Sequence, residues 1–228
     1  NGNANMLFVD GGTDRVGIGT ATPLSKLDVT GGFITVSKDA NTAGRVGASE
    51  YITGSTANDL IVQATGSTIT RFYQSGVNSL NIDATGAVTM PLQPAFLAVP
   101  ASGQTNLATN TTIVFGTEKF DQNADFASNT FTAPVTGKYQ LNFMGRVDQI
   151  DTAANWQRLV LVTSNTTYQS QIIDLGGLSG DPNYWNFNIN VLADMDASDT
   201  AFIKWEHDGG SNVADMTEQA FFSGYLVA

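Results

Sequence analysis

The sequence has no cysteine and a single histidine, His207. Disulfides and thiolate chemistry are therefore excluded, and so is a zinc site built from the usual Cys and His ligands. Secreted animal domains of this size often carry disulfides, so their absence leans toward a microbial or viral source. Charge is scarce as well: Asp, Glu, Lys and Arg make up 14% of 228 residues, against about 25% in an average soluble domain. Basic residues are the rarer sign, 10 against 21 acidic, for a net charge of −11. That balance argues against nucleic acid or an anionic lipid surface as partner. No apolar run approaches the roughly 20 residues of a membrane span. The opening Asn1–Met6 is not a signal peptide, and a first residue other than Met reads as a fragment or processed piece.

What is plentiful is Gly, Thr, Asn and Ser, the composition of extended β-structure with many turns. Phe120–Phe143 organises the reading. Phe126, Phe131, Tyr139, Leu141 and Phe143 read as alternating apolar positions of half-buried strands, and Ala133–Gly137 breaks the pattern with Pro134 and Gly137. A hairpin inside a sheet sandwich is expected, its aromatics facing inward.

The first 92 residues differ from the rest. They hold 13 of the 23 Gly but only 5 of the 22 aromatics. A short pattern, Leu-x-(Val/Ile) followed by a Gly-containing polar turn, recurs at Leu7–Gly12, Leu27–Gly32, Leu60–Gly66 and Leu80–Gly86. Uneven spacing rules out a regular solenoid. Short strands joined as hairpins are expected, with Asp39–Gly44 as a turn or loop. Each strand offers two or three small apolar side chains, too few to bury alone, so copies of the chain must supply the core. Phe72-Tyr73 is expected to pack at the axis of such an assembly. Residues 7–29, above all Arg15–Val29 with its VGIGT-x-x-P-x-x-K-L-x-V run, resemble a segment common in phage tail fibres and related bacterial surface proteins. The resemblance implies a trimeric β-rich fibre shaft, β-helix or β-prism-like. Gly17 and Gly19 read as a bulge or a crowded axis, since no helix or Lys-Ser/Thr pair follows to make a phosphate loop.

Met90–Pro94, with two prolines, marks a stiff extended connector. The expected domains are thus residues 1–92, the shaft, and 93–228, an all-β sandwich. Strands are expected at Ala95–Val99, Thr112–Phe115, Phe126–Phe131, Gly137–Asp148, Gln157–Thr163, Thr167–Leu175, Asn183–Ala193, Thr200–His207 and Ala220–Val227. Phe131–Tyr139 matches F-x-x-P-x-x-G-x-Y, Leu192–Asp199 is placed like an L-x-x-G-D turn, and Phe222–Leu226 matches F-S-G-x-L. In that order these motifs resemble the complement one-q globular head among the tumour-necrosis-factor-like jelly rolls. The resemblance implies a ten-stranded jelly roll and a tight homotrimer. The Gly that usually precedes the Asp of that turn is absent, which leaves the turn's geometry open.

Residues with chemistry are weighed against plainer roles. No G-x-S-x-G accompanies His207, so a serine triad is not expected; His207 reads as a solvated loop residue, with a pH switch as the alternative. A compact jelly roll offers no long groove for glycoside hydrolysis, and no enzyme is expected. The carboxylates Asp194, Asp196 and Asp199, with Asp148 and Asp151 in a second loop and Asp208 and Asp215 in a third, are the oxygen-rich set Ca²⁺ would take, or solvated acids that confer solubility. Five basic and 14 acidic residues give the second module −9, and three copies would gather −27. Trp156, Tyr184 and Trp185 are candidate contact residues, with one of Tyr184-Trp185 facing outward by alternation, while Trp205 reads as core. Asp151, Asp181 and Asp208 join them as ligand-binding candidates in loops Asp148–Asn155, Leu175–Tyr184 and Asp208–Asp215.

These readings converge on the tip of a trimeric phage tail fibre on the virion, attached to upstream fibre or tail proteins and binding a bacterial surface glycan or outer-membrane protein. The alternatives are a structural fibre protein whose head drives trimerisation, or an adhesin on a bacterial cell surface.

Overall fold

The computed structural model describes residues 6–31, 33–39, 42–48, 60–64 and 69–228. The chain divides into two compact units, Asn1–Pro91 and Leu92–Ala228.

Among its described residues the first unit has nine short strands: β1 (Phe8–Asp10), β2 (Arg15–Ile18), β3 (Leu27–Val29), β4 (Phe33–Asp39), β5 (Thr42–Ala48), β6 (Leu60–Ala64), β7 (Thr70–Gln74), β8 (Val77–Ile82) and β9 (Val88–Thr89). They form three three-stranded sheets, each in chain order. Every copy of the repeated pattern reaches a strand, β1, β3, β6 or β8. The expected loop at Asp39–Gly44 is partly strand, since Thr42–Gly44 belongs to β5; Ala40, Asn41 and the third copy's Thr65 and Gly66 lie outside the described residues.

The expected hairpin forms from β1 to β2, Val9 opposite Val16, but β2 and β3 then pair in parallel, Val16 opposite Leu27 and Ile18 opposite Val29. Parallel neighbours need a crossover, usually a long one, and here Gly19–Lys26 suffices. Arg15 Nη1 donates to Pro23 O at 2.9 Å and Leu24 N to Asp28 Oδ2 at 2.8 Å, which closes the loop. Crowding at the glycines comes from nearby backbone, in the loop for Gly17 and just past β3 for Gly19. A Cβ on Gly17 would lie 2.3 Å from Thr20 O, and one on Gly19, at φ +80°, 2.3 Å from Thr30 O.

The second unit contains β10 (Ala95–Val99), β11 (Thr111–Thr112), β12 (Thr117–Gln122), β13 (Phe126–Ala127), β14 (Thr130–Thr132), β15 (Gly137–Asp148), β16 (Ala154–Thr163), β17 (Thr167–Gln169), β18 (Ile173–Asp174), β19 (Tyr184–Met195), β20 (Thr200–Gly209) and β21 (Asp215–Leu226). A five-stranded sheet runs β12-β10-β21-β15-β19. A seven-stranded one runs β13-β14-β20-β16-β17, with β11 beside β20 and β18 beside β16. All pairs are antiparallel, and the chain changes sheet from β15 to β16 and again from β19 to β20 to β21. This is jelly-roll connectivity. The proposed connector is a turn at Pro91–Leu92, and Gln93 already belongs to the second unit: its side chain donates to Leu226 O and its carbonyl accepts from Gln122 Nε2.

Phe126 and Phe131 are five residues apart, an odd separation that one strand cannot place on a single face. The chain solves this with a two-residue turn. Ser128 and Asn129 take positive φ, 50° and 67°, and the two phenylalanines become direct cross-strand partners. Ala133–Gly137 is likewise no hairpin, because β14 and β15 lie in opposite sheets. It is a corner between layers, closed by Tyr139 Oη donating to Val135 O at 2.7 Å and by Phe131 and Tyr139 meeting at 5.3 Å. Strand β12, unforeseen in sequence, carries Glu118 and Lys119 on the sheet edge, where charges deter further pairing. Residues 167–175 form two short strands, and the 3₁₀ turn Leu175–Gly177 follows.

Core packing explains the small residue in F-S-G-x-L. A Cβ on Gly224 would meet Leu141 Cδ2 at 2.6 Å and Phe96 Cε1 at 2.8 Å. Gly224→Ala should lower stability by about 1–3 kcal/mol, read as a lower denaturation midpoint; an unchanged midpoint would refute the crowding. Ser198 takes φ 78° in the Asp196–Asp199 turn, a conformation that costs a side-chain-bearing residue roughly 1 kcal/mol. Ser198→Gly should raise the midpoint accordingly, and calorimetry of the pair decides.

Candidate functional site

The three loops expected to carry binding do meet at one end of the sandwich. They are the stretches 149–153, 178–183 and 210–214, and backbone bonds begin the seam: Gln149 N to Asn183 O at 3.0 Å and Ile150 N to Pro182 O at 3.2 Å. Carboxylates complete it. Asp181 accepts from Thr152 N at 2.9 Å and from the Thr152 hydroxyl. Asp151 accepts from Ala153 N and Ser211 N, Asp208 from Asn155 Nδ2 at 2.9 Å, and Asp215 from Asn106 N and Gln149 Nε2. Short Asp side chains suit this work because they reach backbone N–H groups that turns leave unpaired. The hydroxyl and then the amide of Thr152 hold the Asp181 carboxyl below its ordinary value. His207 joins the rim, its Nδ1 against Gly209 O at 2.9 Å and its Nε2 against Asn212 Oδ1 at 3.0 Å.

Two predicted contact residues change role. Asp151 is 7% exposed and bound on both oxygens, so it ties two loops together and does not face a ligand. Trp185 packs against the core from the inner face of β19, which leaves Tyr184, 63% exposed, as the outward member of the pair. Trp205 is fully buried, as expected. Asp181, Asp208 and Tyr184 remain at the surface of the rim, and Trp156 is half-exposed on the outer face of β16.

Two depressions open beside the rim. One, of about 230 Å³, lies between Gln149, Asp181, Pro182, Asn183 and Val213. The other, of about 280 Å³, is lined by Gln104, Thr105, Arg146, Asp148, Glu218 and Gln219. Arg146 is held at its centre. Its Nε and Nη2 bond the two Asp148 oxygens at 2.8 and 3.0 Å, its Nη1 bonds Gln219 Oε1 at 2.9 Å, and its guanidinium lies 5.8 Å from the Tyr184 ring centroid. A second such assembly occupies the other sheet. Arg158 stacks on Trp156 at 4.6 Å, bonds Glu206 Oε2 through Nε and Nη2 at 2.9 and 2.7 Å, and reaches Gln169. Burial would raise the Glu206 carboxyl, but hydrogen bonds from Lys204 and Arg158 outweigh it and hold the group below its ordinary value. Arg146, Arg158 and Gln219 escaped the sequence reading because their partners are set by strand register, and Asp148, read there as a loop carboxylate for Ca²⁺, instead ends β15 and pairs with Arg146.

Asp194, Asp196 and Asp199 do not assemble a cation site. They lie at the opposite end of the sandwich, where Gly137 pairs with Met195, while Asp148 pairs with Tyr184 at the rim. The length of β15 puts roughly 35 Å between the ends. Each carboxylate is also drawn elsewhere: Asp194 to Lys138 Nζ at 2.5 Å, Asp196 to the Thr136 hydroxyl, and Asp199 to Asp196 N and Asn165 Nδ2 at 2.8 and 2.7 Å. Among the described residues no group of three His, Cys, Asp or Glu side chains is placed to hold a metal. EDTA is therefore expected to leave the melting transition where it was, and a drop of several degrees on chelation would contradict this arrangement.

No family model and no curated protein matches the chain. Among solved structures it is similar to the globular domain of zebrafish complement 1qA protein, at 16% identity and TM-score 0.44, over 59% of this chain and 98% of that one. It is similar also to murine APRIL, at 10% identity and TM-score 0.44, over 59% and 99%.

Proposed function

We propose that this chain is the distal part of a homotrimeric fibre, on a phage tail or a bacterial surface, whose jelly-roll head binds a bacterial surface glycan or outer-membrane protein through the loop rim. The observation that carries the assembly is the exposure of apolar side chains in the first unit. Among its described residues Leu7, Val9, Leu27, Phe72 and Tyr73 are 64%, 67%, 55%, 51% and 59% exposed, and the buried hydrophobic residues among all those described lie between Phe96 and Phe222, in the second unit. Exposed apolar strands of this extent need a partner, and identical copies supply matching ones.

The head offers a surface suited to the same symmetry. On the outer face of the five-stranded sheet, register sets Tyr225, Gln140 and Leu192 in one row, Phe120, Leu97, Ser223, Asn142 and Asn190 in the next, and Phe221, Met144 and Asn188 in a third. No charged residue occurs in these rows, in a unit whose net charge is −9. Copies that repel elsewhere can meet there without burying carboxylates. The rim then faces outward three times over, and weak contacts are multiplied by avidity. Among the described residues no helix is long and apolar enough to cross a membrane.

Sedimentation of the isolated chain should give a trimer, and a monomer would remove the assembly. Exchange of the rim segments 149–153, 178–183 and 210–214 for Gly/Ser loops should abolish attachment to host cells while the trimer persists. Attachment that survives would assign the head a purely structural role.

A further inference from the structure

Of the three tryptophans, Trp205 is buried and Trp185 packs on the core; Trp156 does neither. It stands on the outer face of the seven-stranded sheet, since its neighbour Gln157 is the inward residue. Register places Asp174 of β18 directly beside it on one side and Asp208 of β20 on the other. Cross-strand partners share a face, so an indole is flanked by two carboxylates in a single row. Each acid has one oxygen engaged, Asp174 with Gly176 N and Asp208 with Asn155 Nδ2, and offers the other to solvent. The β16–β20 register shifts between Ala154 and Trp156, and bulges of this kind re-aim side chains. Arg158, fixed on three sides by Glu206, Gln169 and the indole, sets the ring's position.

We propose that Trp156, Asp174 and Asp208 form a subsite for one neutral sugar ring. A pyranose presents a flat face of C–H groups and a rim of hydroxyl donors. The indole takes the first and the two carboxylates take the second, with charge-assisted hydrogen bonds. The charges select against acidic sugars. Asp174 and Asp208 are exposed and neither forms a salt bridge, while the Arg158 and Lys204 cations are both drawn to Glu206, so a uronic or sialic acid would meet two like charges. Preorganisation by Arg158 means little side-chain freedom is lost on binding. This deepens the adhesin reading and rests on it, by naming a glycan as the receptor class. The site also leaves the three uncharged rows of the other sheet available for trimer contacts.

The test uses the full chain labelled with 5-fluorotryptophan, whose three ¹⁹F resonances report the three indoles separately, with Trp156→Phe assigning the one of interest. Methyl glycosides of glucose, galactose, N-acetylglucosamine and N-acetylgalactosamine are titrated, with methyl glucuronide as the charged comparison. At least one neutral glycoside should move the Trp156 resonance saturably, with a dissociation constant of about 1–10 mM, while Trp185 and Trp205 stay in place. Asp174→Asn with Asp208→Asn should weaken that response about tenfold at an unchanged melting temperature, and the glucuronide should bind more weakly than its neutral counterpart. Absence of a saturable shift with all four neutral sugars, or a response indifferent to the double variant, would overturn the subsite. Host-cell attachment unaffected by Trp156→Ala, with no sugar response, would reject the subsite and leave the adhesin reading standing. A sugar response without attachment would keep the subsite and remove that reading.

Discussion

The contact on which the head depends is the stack of Phe96 between Phe126 and Phe131, at 4.9 Å from each, with Phe222 edge-on at 5.0 Å. Phe96 and Phe222 belong to the five-stranded sheet and Phe126 and Phe131 to the other, so four rings join the two layers. Ring pairs of this geometry contribute about 0.5–1.5 kcal/mol each beyond their buried area. The Tyr139 corner and the close approach at Gly224 are both conditions for this packing, one turning the chain between layers and the other letting β10 and β15 side chains reach the same space. With the layers held, the strand ends are held, and the rim loops inherit fixed endpoints.

The two units solve the burial problem in opposite ways. The head closes its own core with aromatics from both sheets. The first unit spends its sequence on turns and two-residue apolar faces, and its described strands leave those faces open. Low charge fits both, since few ionic groups must be kept out of buried contacts, and the absence of disulfides leaves packing to supply the stability.

Aspartate does at the rim what disulfides do in other small-looped domains. Asp151 and Asp181 each cross from one loop to another, while Asp208 links the ends of β20 and β16 and Asp215, at the start of β21, accepts from Gln149 of the first loop. A surface rich in carboxylates therefore need not be a metal site, and at the far end Asp199 does the same for the turn that lacks glycine, accepting from Asp196 N. The acids that keep an unengaged oxygen beside an aromatic, Asp174 and Asp208 next to Trp156, are the ones with chemistry left to offer.

The sequence by itself determined the class of the fold, most strands of the head and several of its buried aromatics, because period-two alternation and Gly or Pro punctuation are local properties that a chain carries wherever it folds. Phe131, Tyr139, Phe143 and Trp205 were all readable as core for that reason. Tertiary structure alone decided the parity of Phe126 and Phe131, the parallel pairing of β2 with β3, the opposite ends to which the acidic loops go, and the row that puts Asp174 and Asp208 on either side of Trp156. Each depends on register between strands distant in sequence, and a one-residue slip would send every one of those side chains to the other face. That is why the rim's loops were legible as loops, while the partners that each rim side chain meets appeared only once the sheets were paired.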